Sequence, residues 1–397
     1  ELTTLWGTPP LVDRVLKNSE EYKVPNSTAE QLWKFMETDL TEAITSGKLT
    51  SKTSLEDRDG GTRATLEAAR CLLGKIYLYQ EKYADAKSEL EKVISSGKYD
   101  LIADVSTFYH PASAGCKEYV LECVRHYDPS NMYSQEGWFG ILANWGFGYG
   151  FIAGPEASMH YKFNTTSGYS YFNPSKSLYD AFVAEEGADG YRLNAWIRTW
   201  EQVIAMNIAV NTTTNKYASE GYFRLKWLAS TDDEFVGYWC GNQSNTPVIR
   251  YADVLLMAAE ACLQAGDQAG ADEYLGRVRD RARLPRKSHV TLSDIKLERR
   301  LELAMEGMRF QDLKRWGDAP AVLADKGKKL PTFQIVPDPN NDLTTAAGIY
   351  NARYTTKTTY VDNEKSLAGW TPNRDEWLPF PENELEVNSN LKQNPGY

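Results

Sequence analysis

The chain has 397 residues, a formal net charge of −10, 42% hydrophobic and 25% charged residues. A chain of this length can bury a large core in one domain or two, and the mixture is ordinary for a soluble globular protein. The acidic balance argues against nucleic acid and against an anionic membrane surface, because both need a basic face.

Residues 2–24 read as an opening strand or loop, with Pro9-Pro10 preventing a regular helix. Ser27, with Glu30 three residues on, has the form of a capping box. The helix it opens should run to about Ser46, because Leu32, Phe35, Met36, Leu40 and Ile44 repeat at helical spacing. Residues 50–61 are a polar linker. Residues 63–95 read as a helical hairpin. Gly74, Tyr77, Ala86, Leu90 and Val93 fall where tetratricopeptide repeats place small, aromatic and apolar residues, so that two helices approach closely. Leu255, Ala259, Cys262, Ala271, Leu275 and Val278 keep the same offsets far downstream. Two separated copies fit a helical superhelix interrupted by a long insertion, from about 99 to 246.

Inside the insertion, YVLECVR from Tyr119 alternates like a strand. The uncharged run GWFGILANWGFGYGFIAGP from Gly137 is a poor membrane span, since glycines and Asn144 interrupt it. Its Gly146, Gly148 and Gly150 do not make a phosphate-cradling GxGxxG. Glycines bend a backbone from which Trp138, Trp145, Phe147 and Tyr149 project, either as exposed aromatic faces or as plugs of a core under a long loop. Residues 175–200 read as a helix ending near Glu186-Gly187, then a turn into a strand. GYWCGNQSN from Gly237 is a loop that mixes Tyr238 and Trp239 with Asn242 and Gln243.

Residues 297–316 read as one long amphipathic helix. Leu297, Leu301, Ala304, Met308 and Leu313 form its buried stripe. Arg299, Arg300, Glu302 and Glu306 are spaced for pairing along a solvated face. Gly307 interrupts it, and Gly317 followed by Pro320 ends it. Residues 326–372 are polar and turn-rich. Asp338, Asn340, Asn341 and Asp342 cluster oxygens without the spacing of a calcium loop, so an Asx-rich turn is expected there.

Catalysis needs a constellation, and none is legible. His110, His126, His160 and His289 are scattered, with no paired metal spacing and no nucleophile elbow, so neither enzyme, metal nor cofactor is expected. The five cysteines form no CxxC pair. Cys71 and Cys262 sit on apolar helical faces as buried thiols, and a Cys116–Cys123 bridge is the less favoured alternative to free thiols. Binding fits better. A sugar ring has an apolar face that lies on Trp or Tyr, while its hydroxyls need amide and carboxylate partners. The candidate ligand residues are therefore Trp138, Trp145, Phe147, Tyr149, Tyr238, Trp239, Asn242 and Gln243.

The order of residues in LERRLELAMEGMRFQDLKRW, from Leu297 to Trp316, resembles the signature helix of the SusD/RagB family, nutrient-binding lipoproteins of the bacterial outer membrane. PVIRYADVLLMAAEA from Pro247 resembles the family's preceding helix. LPFPENEL from Leu378 and NLKQNPGY from Asn390 resemble its C-terminus. The resemblance implies a mainly α fold, a tetratricopeptide-like superhelix with a long, irregular, loop-rich insertion. Residues 25–98 and 247–320 would form the repeat scaffold, 99–246 an insertion carrying the ligand site, and 321–397 a loop-rich end. It implies a surface-exposed protein that captures oligosaccharide and passes it to a TonB-dependent, SusC-like transporter without chemistry on the ligand. It also implies a signal, a lipidated cysteine and further helices ahead of LWGTPPL at Leu5, so that membrane contact comes only through an anchor absent from these residues. Two other readings stay open: a member that binds peptide or another nutrient, as RagB-like proteins do, and a helical-repeat scaffold whose only ligand is a protein.

Overall fold

The computed structural model describes residues 1–124, 151–152, 173–199, 201–202, 209–210, 216–217, 219–226, 245–342, 344–345, 348, 353–364 and 368–397. The opening segment holds a short helix, α1 (Leu2–Trp6), where a strand or loop is expected. α2 (Ala29–Thr45) begins one residue later than its sequence suggests. Thr28 and Gln31 form the capping box, while the Ser27 hydroxyl accepts the Leu11 amide at 2.9 Å and ties the opening loop down instead. α3 (Leu66–Tyr79) and α4 (Tyr83–Ser95) make the expected hairpin. A Cβ on Gly74 would stand 2.7 Å from Leu90 Cγ, so the glycine sets how closely the two helices pack.

In the insertion, β1 (Tyr119–Cys123) and β2 (Phe151–Ile152) precede α5 (Lys176–Glu186). Ser175 caps α5 and Gly187, at φ 79°, stops it. A second short helix, α6 (Tyr191–Trp196), comes before β3 (Ile197–Thr199). β4 (Ala209–Val210), β5 (Lys216–Tyr217), β6 (Tyr222–Arg224) and β7 (Thr246–Arg250) follow. Pairing is antiparallel: β1 with β7, β2 with β4, β3 with β6. The second hairpin is α7 (Tyr251–Gln264) and α8 (Gln268–Arg281). α7 is buried from Tyr251 through Cys262 because it packs against α4, α8 and the helix that follows.

The stretch read as one long helix is two. α9 (Leu292–Glu302) starts earlier, on a Thr291–Asp294 capping box, and α10 (Arg309–Arg315) follows a turn. Met305 (φ 65°) and Gly307 (φ 80°) both take the left-handed conformation, which no helix can carry. α11 (Ala319–Val322) comes after Gly317. Residues 326–372 hold more than turns: β8 (Lys329–Pro337) and β9 (Tyr354–Asp362) pair in continuous register from Lys329↔Asp362 to Pro337↔Tyr354, and β5 adds a third strand. β9 reads YTTKTTYVD, and Thr355, Thr356, Lys357 and Thr358 are exposed, so no apolar alternation marked it. Only its Thr and Tyr content hinted at a strand. A final helix, α12 (Glu382–Val387), precedes the last turns.

Among the described residues, two apolar cores result. One joins the hairpins through Leu78, Leu90, Val93, Leu255, Leu275, Val278 and Ile295. The other packs insertion residues Phe108, Tyr119, Phe182, Leu193 and Trp196 on Leu301 and Ala304. α9 therefore contributes to both, Ile295 to the first and Leu301 to the second. The chain ends close on each other through amides: Asn394 Nδ2 donates to Trp6 O (3.0 Å) and Leu378 O (2.7 Å), and Asn388 Nδ2 to Val24 O (2.7 Å). Cys71, Cys116 and Cys262 are buried free thiols and Cys123 is an exposed one, so Cys116 and Cys123 do not pair. The Asp338 carboxylate is spent on the Asn340 amide at 2.9 Å, an Asx turn. Among the described residues, no helix is long and apolar enough to cross a membrane.

Candidate functional site

The eight candidate residues, Trp138, Trp145, Phe147, Tyr149, Tyr238, Trp239, Asn242 and Gln243, lie outside the described residues. The structure does describe the places from which their two stretches leave and return. In the β1–β7 pair, Cys123 is opposite Thr246. That pairing puts the start of the stretch with Trp138 beside the end of the stretch with Tyr238. Asn245, buried at that same end, donates its Nδ2 to Glu122 Oε2 across the pair at 3.0 Å. The second stretch starts after Lys226, where β6 ends against β3, with Leu225 N donating to Trp196 O at 2.8 Å.

These roots are seated on buried charge. Arg250, the last residue of β7, donates Nε to Glu306 Oε2 (2.9 Å), Nη2 to Glu306 Oε1 (2.6 Å) and Nη1 to Glu118 Oε1 (2.6 Å). Glu302 receives Arg192 Nη1 at 3.0 Å, Arg250 Nη2 at 3.1 Å and a short bond from Arg281 Nη2. Arg192 also donates to Glu186 (2.7 Å) and Glu298 (2.5 Å), and Arg281 to Glu118 (3.1 Å). Lys226, 3% exposed, donates to Glu306 Oε1 (2.5 Å) and to the carbonyls of Glu302 (3.0 Å) and Ala304 (3.1 Å). Its ammonium stands 3.7 Å from the centroid of the Trp196 ring. A desolvated charge is costly unless counter-charges converge on it, and here they do, although Arg192 Nη2 and Arg281 Nε find no partner among the described residues.

The solvated, self-paired face expected for residues 297–316 is therefore overturned. Arg299 donates to Asp253 (2.7 Å) and Asp312 (2.8 Å), and Arg315 to Asp312 (2.9 Å) and to Glu260 through Nη1 (2.5 Å) and Nη2 (2.8 Å). Trp316 Nε1 donates to Glu260 at 2.9 Å. This second cluster ties α9 and α10 to α7, while the first ties α9 to α8, to the end of β7 and to the insertion. Burial alone would raise the Glu302 carboxyl, but Arg281, Arg250 and Arg192 outweigh it and hold it well below the usual carboxylate range. Burial pulls the Lys226 ammonium down to about 8, with Glu306 opposing.

Lys226, Glu118 and Arg281 escaped the sequence reading. No spacing marks them, because their ion-pair partners lie 21 to 163 residues away along the chain.

A family profile described as "SusD family" matches residues 117–397. A "SusD-like protein" of Bacteroides ovatus is 24% identical over 98% of this chain and 71% of its own length. "SusD-like protein P2" of Formosa agariphila is 25% identical over 100% of this chain and 71% of its own. Among solved structures, a "Laminarin binding SusD-like protein" superposes with a TM-score of 0.75 at 26% identity, covering 100% of this chain and 75% of that one. Surface glycan-binding protein A from Bacteroides thetaiotaomicron, in complex with laminarihexaose, gives a TM-score of 0.69 at 24% identity over 99% and 74%.

Proposed function

This chain belongs to the SusD family, and from that premise we propose that it is a cell-surface glycan-binding protein. It captures an oligosaccharide and performs no chemistry on it. It then passes the sugar to a TonB-dependent transporter, with a lipid anchor holding it at the outer membrane. The ligand lies on Trp138, Trp145, Phe147 and Tyr149 from one stretch and on Tyr238, Trp239, Asn242 and Gln243 from the other. Residues 25–98 and 247–320 act as scaffold, 99–246 as the ligand-bearing insertion, and 321–397 as the closing segment.

The β1–β7 pairing carries this reading. It roots the two stretches richest in aromatic and amide side chains at one end of one small sheet. The laminarin-binding neighbour, superposable over the whole chain, supports a glucan as the ligand class. Each stacked ring contributes about 0.5–1.5 kcal/mol beyond the area it buries. A site of two or three rings thus gives the modest affinity that suits hand-on of cargo.

The test is calorimetric titration with laminarihexaose, other plant, host and microbial glycans, and mixed peptides. Saturable heat with one glycan class, weakened in Trp145→Ala and Trp239→Ala variants that keep their Tm, is the expected result. Unchanged binding in both variants would remove the site assignment, and heat with peptides alone would replace the ligand class.

A further inference from the structure

We propose that the outer edge of β9 is a pairing surface for a second copy of this chain, and that Lys357 at its centre keeps two such edges apart. β9 is the outermost strand of the sheet β5-β8-β9, and among the described residues no strand pairs with its far side. Which of its backbone groups face that side follows from the ladder. Asn363 N donates to Lys328 O at 2.7 Å and Asp338 N to Arg353 O at 2.9 Å, one step beyond the two ends of the register. Antiparallel pairs alternate between bonded and non-bonded. Thr355, Lys357, Thr359 and Val361 therefore bond to β8, while Tyr354, Thr356, Thr358, Tyr360 and Asp362 turn their N–H and C=O groups outward. Pro331 and Pro337 of β8 stand opposite Tyr360 and Tyr354. Both are non-bonded positions, where a missing N–H leaves this ladder whole. β9 itself carries no proline. Its edge offers a run of unspent donors and acceptors, the usual template for an added strand.

The sequence of β9 says which strand would fit. Residues 354–360 read YTTKTTY, the same in both directions about Lys357. Two copies of a chain meet about a twofold axis, which sets their edges antiparallel. With the axis at Lys357, Thr356 falls opposite Thr358 of the second copy and Thr355 opposite its Thr359, hydroxyl pairs that stabilise a sheet. Thr355, Thr356 and Thr358 are exposed, and Val361 beyond them is 60% exposed. One pair opposes the rest. Lys357, also exposed, is the one charged residue between Tyr354 and Val361, and it falls directly opposite Lys357 of the second copy. Like charges across a pair repel. Moving the axis to Thr356 or Thr358 still bonds outward groups to outward groups. It leaves the two ammonium groups diagonal on one face, within reach of long side chains. An axis between two residues matches outward groups with groups already bonded to β8. A lysine on an open edge is a recurrent way of keeping it unpaired.

Sedimentation equilibrium of the full chain over the micromolar range tests this. Wild type should stay monomeric, and Lys357→Thr should approach twice the monomer mass. Lys357→Glu should stay monomeric alone, because it restores a like-charge pair, and should form a one-to-one complex when mixed with wild type. Adding Thr358→Pro to Lys357→Thr should return the monomer, since it removes an outward N–H and spares the β8 ladder. Among the described residues the Lys357 side chain makes no ion pair or hydrogen bond, so its replacement leaves the fold intact. A monomeric Lys357→Thr overturns the proposal, as does a mixture of Lys357→Glu and wild type that does not associate. A Lys357→Thr dimer that survives Thr358→Pro would place the contact on another surface, and a dimeric wild type would remove the role of Lys357; either result overturns it.

Discussion

Glu302→Gln removes one negative charge and keeps the shape of the side chain. In the folded protein that carboxylate faces Arg192, Arg250 and Arg281, all buried. Arg192 retains Glu186 and Glu298, and Arg250 and Arg281 retain Glu118, so the cluster does not fall apart. Three buried guanidiniums lose a charged acceptor, and the new amide offers them one neutral oxygen in its place. Breaking a buried pair in this way costs about 3–5 kcal/mol. Unfolding entropy of about 2.1 cal/mol/K per residue amounts to about 0.8 kcal/mol/K for this chain, so Tm should fall by about 4–6 °C. Differential scanning calorimetry at neutral pH reads this directly. The comparison is Asp180→Asn, which breaks an ion pair whose side chains are both more than half exposed, at 2.6 Å from Lys176. That variant should stay within about 1 °C of wild type, because exposed pairs are screened. A Glu302→Gln protein that melts with Asp180→Asn would refute the claim that the cluster ties the insertion to the helices.

Gly74→Ala should destabilise by about 1–2 kcal/mol in urea titration. The new methyl meets Leu90 Cγ at 2.7 Å, and the overpacking outweighs the gain in helix propensity; a neutral result would mean that α4 can shift freely. For Lys226, the folded state releases its proton near pH 8 while the unfolded chain holds it to about 10.5. Between those values the unfolded state binds more protons, so the stability of wild type relative to Lys226→Met should rise with pH, read from urea midpoints at about pH 7.5 and about pH 9.5. A flat difference would place the ammonium outside the buried seat. Maleimide labelling should modify Cys123 in the native protein and reach Cys71, Cys116 and Cys262 only on unfolding; recovery of Cys116 and Cys123 peptides joined by a disulfide would contradict the free thiols.

Local chemistry in the chain was enough to specify its helical hairpins. Gly74 meets Leu90 across one hairpin, and Leu255 shares a core with Leu275 and Val278 across the other; the apolar residues of each helix recur at helical spacing, and short-range periodicity carries that information. The aromatic content of the two insertion stretches was equally legible, since composition needs no fold. The break after Glu302 was half visible in Gly307, but the left-handed turn at Met305 depends on what the freed carbonyls meet, and that is Lys226 from another element. β9 left little trace because its residues face solvent and pair through backbone atoms. The charges of residues 297–316 were visible as charges and misread as a solvated surface. Whether a guanidinium is hydrated or buried depends on carboxylates brought in from Glu118, Asp253 and Glu260, at separations no periodicity reports. Only the tertiary structure assembles those partners, because a buried ion is stable where its counter-ions converge in space, and convergence is a property of the packed fold.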